Sequence, residues 1–233
     1  RQRPSVARVS APWREVGADS VSVRLLHPWN GVRPRDRNDA SFVLRGNEEV
    51  FRECSAEGVF RDDLLILQPT RVFARKGIEH AIELVSRLGM NARLVISHAS
   101  VDEGHDYEQR IIDYSQRLEV NTLFVSDIIN ERRGATADGR KIYKLFDIYP
   151  HADLITYPST IEGFGNAFLE AVYFKKPILV NRYSIYTIDI KPKGFMAIEI
   201  DGYVNDEAVE QTRAVLEDSR LRKKMVTTNY ALA

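Results

Sequence analysis

Cysteine is almost missing from this chain: Cys54 is the only one among 233 residues. No internal disulfide can form, which fits a reducing, cytoplasmic compartment. Its surroundings, RECSAEG, hold no histidine that could activate the thiol, so Cys54 reads as an inert side chain. Long apolar runs are also missing. None approaches the roughly 18 residues that a membrane-spanning helix needs, and the opening RQRPSVARVS has charge without the apolar stretch of a signal peptide. Neither sign of charge is in excess: 33 Lys and Arg balance 33 Asp and Glu. No global field therefore draws this chain to nucleic acid or an anionic membrane, and any bound anion must be gripped locally. There are no internal repeats and no low-complexity segments. No G-x-G-x-x-G follows the first apolar strand, which disfavours the nucleotide-binding domain of an oxidoreductase. The chain begins at Arg rather than Met, and we expect a fragment or a processed product.

What is present is a regular alternation. LLILQP (64–69) is a continuous apolar run ended by Pro, the pattern of a strand buried on both faces. GIEHAIELVSRLG (77–89) has apolar residues at helical spacing and Gly89 as a stop. ARLVIS (92–97) is predicted as a second strand, 107–120 as an amphipathic helix and TLFVSD (122–127) as a third strand. A short helix is expected over 141–152, then strand 153–159, helix 165–176, strand 177–181, strand 197–201 and one or two closing helices. Before residue 60 the pattern is patchy: VSVRLL (21–26) reads as a short strand and 46–58 as a short polar helix. Apolar strands alternating with helices argue for an α/β fold, a doubly wound parallel sheet of Rossmann-like type over residues ~60–233.

In such a sheet, ligands gather where the strands end and the loops lead into helices. The loop PTRVFARKG (69–77) sets Arg71 and Lys76 just before a helix, whose unpaired N–H groups would complete an anion site. Two solvated surface cations would look the same. The loop STIEGFGNAFLEA (159–171) puts Glu162 at a strand end. Gly163 and Gly165 let the backbone approach a ligand closely, and the helix from Asn166 aims its N–H groups above the sheet. Glu170 can accept hydrogen bonds from a ligand diol.

These residues carry a resemblance. YPSTIEGFGNAFLEAVYFKKPILV is similar to the donor-site signature of the retaining GT-B glycosyltransferases that include sucrose-phosphate synthase and bacterial glycogen synthase. PTRVFARKG resembles that family's loop with an Arg and a Lys, in the right order and at family-like separation. The resemblance covers most of residues 60–233. It implies the Rossmann-like half of a GT-B fold, with Arg71 and Lys76 holding the diphosphate of a nucleotide-sugar donor. Glu162 would face the sugar hydroxyls beside the backbone of Gly163, Phe164 and Gly165, with Asn166 opening the helix behind them. Glu170 would hold the ribose, and Asp127 and Ile128 would lie near the base by position alone.

It also implies hexosyl transfer with retention, and no cofactor. No Asp-x-Asp stands at a strand end to hold a metal, so the cations and N–H groups would stabilise the departing diphosphate instead. Residues 1–45 resemble the end of an N-terminal domain and its linker, leaving 46–233 as the donor-binding domain and the acceptor domain missing. The acceptor stays unknown, and a binding module inactive without that other domain is the alternative. Three departures stand out: SHAS (97–100) where the family often has a glycine pair, Ser126–Asp127 where it has Gly, and NRYSIYTIDI (181–190) where it often has a glycine pair followed by Glu; the last lies near the sugar end of the site.

Other features read more plainly. His98 and His105 flank acidic residues in a polar loop whose spacing fits no metal-ligand pattern. His80, beside Glu79, is expected to be exposed, His27 to be a loop residue and His151 to be structural. NERRGATADGRK (130–141) reads as a solvated loop, and RLRKK (220–224), preceded by Glu217 and Asp218, as a solvated helix face. Tyr143, Phe146 and Tyr149 recur at core spacing. Tyr183 and Tyr186 are expected in a loop at the ligand-bearing edge.

Overall fold

Leu64–Gln68 (β1) shows how the sheet forms: Leu65 and Leu67 pack into one hydrophobic cluster and Ile66 into another. Side chains alternate across a strand, so an unbroken apolar run needs a core on each face. In a computed structural model that describes residues 63–100 and 105–233, the run has both. The expected strand 21–26, helix 46–58, His27, Cys54 and the boundary at 45/46 lie outside the described residues.

Among the described residues, six strands form a wholly parallel sheet: β1, Ala92–Ile96 (β2), Asn121–Phe124 (β3), Leu154–Tyr157 (β6), Ile178–Asn181 (β7) and Ile198–Ile200 (β8). Their spatial order is β3-β2-β1-β6-β7-β8. Sequence order therefore reverses between β1 and β6, which pair with Ile66 opposite Leu154. The helix Ile78–Leu88 (α1) contributes to the core that contains Ile66, while Asn166–Tyr173 (α4) contributes to the core that contains Leu65 and Leu67. Helices thus cover both faces, and the doubly wound expectation holds.

The ends of these helices follow local chemistry. Gly89 closes α1 in the left-handed conformation. Asn205 accepts from the Ala208 N–H at 2.8 Å to open Asp206–Glu217 (α5). Asp218 accepts from the Arg220 N–H at 2.7 Å to open Ser219–Leu232 (α6). The helix His105–Arg117 (α2) completes the layer beside α1. Arg220, Lys223 and Lys224 are exposed along α6, the solvated face expected for that run. Among the described residues no helix is long and apolar enough to cross a membrane.

Two segments differ from expectation. The helix expected over 141–152 starts later, because Lys141–Ile142 (β5) pairs antiparallel with Gly134–Ala135 (β4). The Tyr143 N–H donates to the Ile128 carbonyl, and Tyr143 accepts in turn from the Asn130 N–H, both at 2.8 Å. Only Leu145–Ile148 (α3) is α-helical, followed by a 3-10 turn at Tyr149–His151. Buried Asp147 fixes this start: it accepts from the Lys144 N–H at 2.9 Å and binds the Arg133 guanidinium through both oxygens. Tyr143 and Tyr149 are buried and Phe146 packs against them, as their spacing predicts.

The second difference is 181–190, expected as a loop. A helical stretch with π geometry at Tyr186–Ile190 folds the chain inward, and Tyr183 and Tyr186 are buried at 2% and 0% exposure. They are core residues behind the ligand-bearing edge, because their rings fill the space against Phe168 and Tyr157.

Candidate functional site

The chain leaves β1 for α1 on one face of the sheet and leaves β6 for α4 on the other, which puts a crevice between the two strand ends. A pocket of about 670 Å³ occupies that crevice. From the β1 side it is lined by Arg71, Phe73, Arg75 and Lys76. From the β6 side it is lined by Tyr157, Glu162, the Gly163–Phe164–Gly165 backbone, Asn166 and Glu170. Eight of the residues selected from the sequence therefore meet around one space.

The two loops are clamped together. Gly77 sits at φ 62° before α1, and a Cβ there would come within 2.5 Å of the Pro158 carbonyl oxygen at the end of β6. Only glycine permits both the left-handed backbone and that approach. The Thr160 N–H donates to the Arg75 carbonyl at 2.9 Å, adding a second tie. Across this seam the Lys76 ammonium forms an ion pair with Glu162, their side chains only 12% and 9% exposed. The same ammonium lies 5.6 Å from the centre of the Tyr157 ring.

The carboxylates of the pocket differ in character. Burial pushes the Glu162 carboxyl up, but Lys76, together with the Ser159 and Tyr157 hydroxyls, outweighs it and holds Glu162 below the usual carboxylate range. Burial raises Glu170 above that range, and the Tyr149 hydroxyl, donating at 2.8 Å, recovers only part of the shift. Tyr149 is itself held far above its ordinary range by burial and by the Glu170 charge.

Helix α4 begins at Gly165, at φ 91°, with no side chain capping its first turn. Its N-terminal residues Gly165, Asn166 and Ala167 line the pocket. Unpaired N–H groups at a helix start, with the favourable end of the dipole, suit an anion. Exposed Arg71 and Arg75 face the same space.

Some pocket residues escaped sequence reasoning. Arg75 was available between Arg71 and Lys76, in the same loop. His98, whose spacing fits no metal-ligand pattern, stands just past the end of β2, after Ser97. It lines the pocket, its Nδ1 2.6 Å from the Ser97 hydroxyl, and burial and the Arg71 charge both lower its pKa. His80 is half-buried rather than exposed, because it packs beside Gly77. Asp127 and Ile128 are not brought into the pocket lining. Asp127 pairs with Arg140 at 2.8 Å, and Ile128 is 3% exposed. Among the described residues no cluster of His, Cys, Asp and Glu has metal-site geometry.

A doubly wound domain with its pocket at the strand-order reversal is of Rossmann-like class. Residues 51–231 match the family Glycosyl transferases group 1, and the chain belongs to it. It is 32% identical over 160 residues to mannosylglucosylglycerate synthase of Petrotoga mobilis, covering 61% of this chain and 36% of that protein. It is 29% identical over 215 residues to mannosylglucosylglycerate synthase of Thermotoga maritima, covering 79% of this chain and 48% of that protein. The chain thus spans about half the length, or less, of these curated relatives. The solved structure of Anabaena HepE in complex with UDP-glucose shares the fold, with TM-score 0.62, 14% identity and coverage of 81% of this chain and 47% of that one.

Proposed function

We propose that this chain is the nucleotide-sugar-binding half of a glycosyltransferase that moves a hexosyl group with retention and without a metal. The observation that carries this reading is the convergence of Arg71 and Lys76, from the β1 loop, with Glu162 and the uncapped α4, from the β6 loop, around one pocket. Family membership and the likeness to a fold solved with UDP-glucose support it.

Arg71, Lys76 and the α4 N–H groups hold the donor's diphosphate. Glu162 and the Gly163–Gly165 backbone face the sugar, and Glu170, beside the Tyr149 hydroxyl, takes the ribose diol. The base extends past Glu131 toward the segment opened by Asp127 and Ile128. In the reaction the bond between the sugar's C1 and the diphosphate oxygen breaks, and its electron pair leaves with that oxygen. The acceptor oxygen bonds to C1 on the same face, and its proton passes to the departing phosphate. The negative charge grows where the cations and N–H dipoles already point, so no reorganisation is needed as it develops.

In this reading, as the family resemblance implies, the acceptor side belongs to a separate N-terminal domain. The isolated chain is then a donor-binding module that needs that domain to turn over. Calorimetry with UDP, GDP and ADP, each with and without EDTA, tests the reading. One of the three should bind equally well in both conditions. Failure of all three to bind would sink the proposal, and binding abolished by EDTA would remove its metal-independent part.

A further inference from the structure

Behind the pocket wall lies a polar group that the donor site as described does not use. The Tyr183 side chain is 2% exposed, yet its hydroxyl makes no hydrogen bond among the described residues. A buried donor without a partner destabilises the fold, whereas phenylalanine would fill the same space without that cost. The hydroxyl is directed at the donor site. It occupies the space above Gly165, where a Cβ would come within 2.6 Å of it. Its ring meets the pocket residue Tyr157 edge-on, with centroids 6.1 Å apart, and the Glu162 charge acts on it.

Among the described residues, four groups act on the Glu162 carboxylate. Lys76 comes from the loop after β1, Tyr157 and Ser159 from the end of β6, and Tyr183 from the segment after β7. Lys76 is the only cation among them. If Lys76 turns to a bound diphosphate, Glu162 keeps its charge beside a dianion and needs another donor.

We propose that Tyr183 is a positioning residue that takes over Glu162 when the diphosphate draws Lys76 away. Its hydroxyl then donates to the carboxylate and fixes the oxygen that faces the sugar. The unpartnered hydroxyl is thus matched to the occupied site rather than to the resting one. This inference rests on the donor-site reading above.

The test is Tyr183→Phe in the 233-residue chain, titrated with UDP, GDP and ADP and with UDP-glucose, GDP-mannose and ADP-glucose. The variant should melt at or above the wild-type temperature and bind the preferred diphosphate within twofold of wild type. It should bind the matching sugar nucleotide at least fivefold more weakly. The acid limb of sugar-nucleotide binding should also move to higher pH, because the carboxylate has lost a donor. Equal losses for diphosphate and sugar nucleotide, with a lowered melting temperature, would mean that Tyr183 only packs, and would overturn the inference. Unchanged affinity for both probes would overturn it alone, leaving the donor site standing. A wild-type chain that binds none of the six would remove both readings.

Discussion

Lys76 and Glu162 are 86 residues apart in sequence and form an ion pair across the seam between the β1 and β6 loops. Each lies on a different side of the strand-order reversal, so the pair spans the crevice itself. Their neighbours divide the same way, which makes the consequences of single substitutions separable.

Arg71→Ala and Lys76→Ala should part company in stability but not in binding. Arg71 is exposed, so its removal should change stability by no more than about 0.5 kcal/mol. Lys76→Ala leaves Glu162 without its cation. Breaking a fully buried pair costs about 3–5 kcal/mol, and the open pocket reduces this to about 1–2 kcal/mol. Both should weaken binding of the preferred nucleoside diphosphate about tenfold or more, as losing a charge-assisted contact does. Urea denaturation and calorimetry on the two variants check this. Equal stability losses would show that the ion pair contributes nothing to the fold.

Glu170→Gln should stabilise the chain while weakening nucleotide binding. Burial raises the folded-state pKa of Glu170 above its unfolded value. The folded state therefore holds the proton more tightly, and stability falls as pH rises through that window toward neutrality. Glutamine removes the penalty and can still accept from Tyr149, so the melting temperature at pH 7 should rise by about 1–3 °C. Thermal melts at pH 5 and pH 7 should show the gain shrinking at the lower pH.

Glu162 carries the opposite sign. Its folded pKa lies below the ordinary carboxylate value, so its ion pair stabilises the chain above the unfolded pKa. That contribution disappears as pH falls through the folded pKa. Lys76→Met should flatten this acid-side loss between about pH 5 and pH 3, seen in melting temperature against pH. An unchanged slope would count against the pairing.

Gly165→Ala and Gly77→Ala should both destabilise, but only the first should be rescued. At Gly165 the added methyl meets the Tyr183 hydroxyl, a side-chain atom that can be deleted. At Gly77 it meets the Pro158 backbone carbonyl, which cannot. Each single change should cost about 1–3 kcal/mol from positive φ and overlap. In the Tyr183→Phe background the Gly165→Ala cost should fall by about 1 kcal/mol, while the Gly77→Ala cost stays the same. A double-mutant cycle by denaturant unfolding measures both.

Much of the site was legible because it is made of contiguous loops. PTRVFARKG and STIEGFGNAFLEA each follow an unbroken apolar run and precede a helical pattern, so their place at strand ends follows from periodicity. Arg71, Lys76, Glu162, Gly163, Phe164, Gly165, Asn166 and Glu170 do line one pocket. The hairpin β4–β5 was not legible, because two-residue strands carry no period and depend on hydrogen bonds between Tyr143 and the Ile128–Asn130 backbone. Nor was the burial of Tyr183 and Tyr186, whose sequence is as polar as a loop and whose rings find cover only against Tyr157 and Phe168.

The sequence by itself determined the class of fold and the two loops that face a ligand. Hydrophobic period and glycine placement act over a few residues, and those were enough. Only the tertiary structure decided which groups oppose one another. Lys76 meets Glu162 and Tyr183 stands over Gly165 because parallel strands β1, β6 and β7 bring their ends side by side, and Tyr149, in the turn before β6, meets Glu170 on α4. Those juxtapositions join residues distant in sequence, and no local pattern encodes them. The Lys76 contact also holds Glu162 low, while burial raises Glu170 despite the Tyr149 hydroxyl.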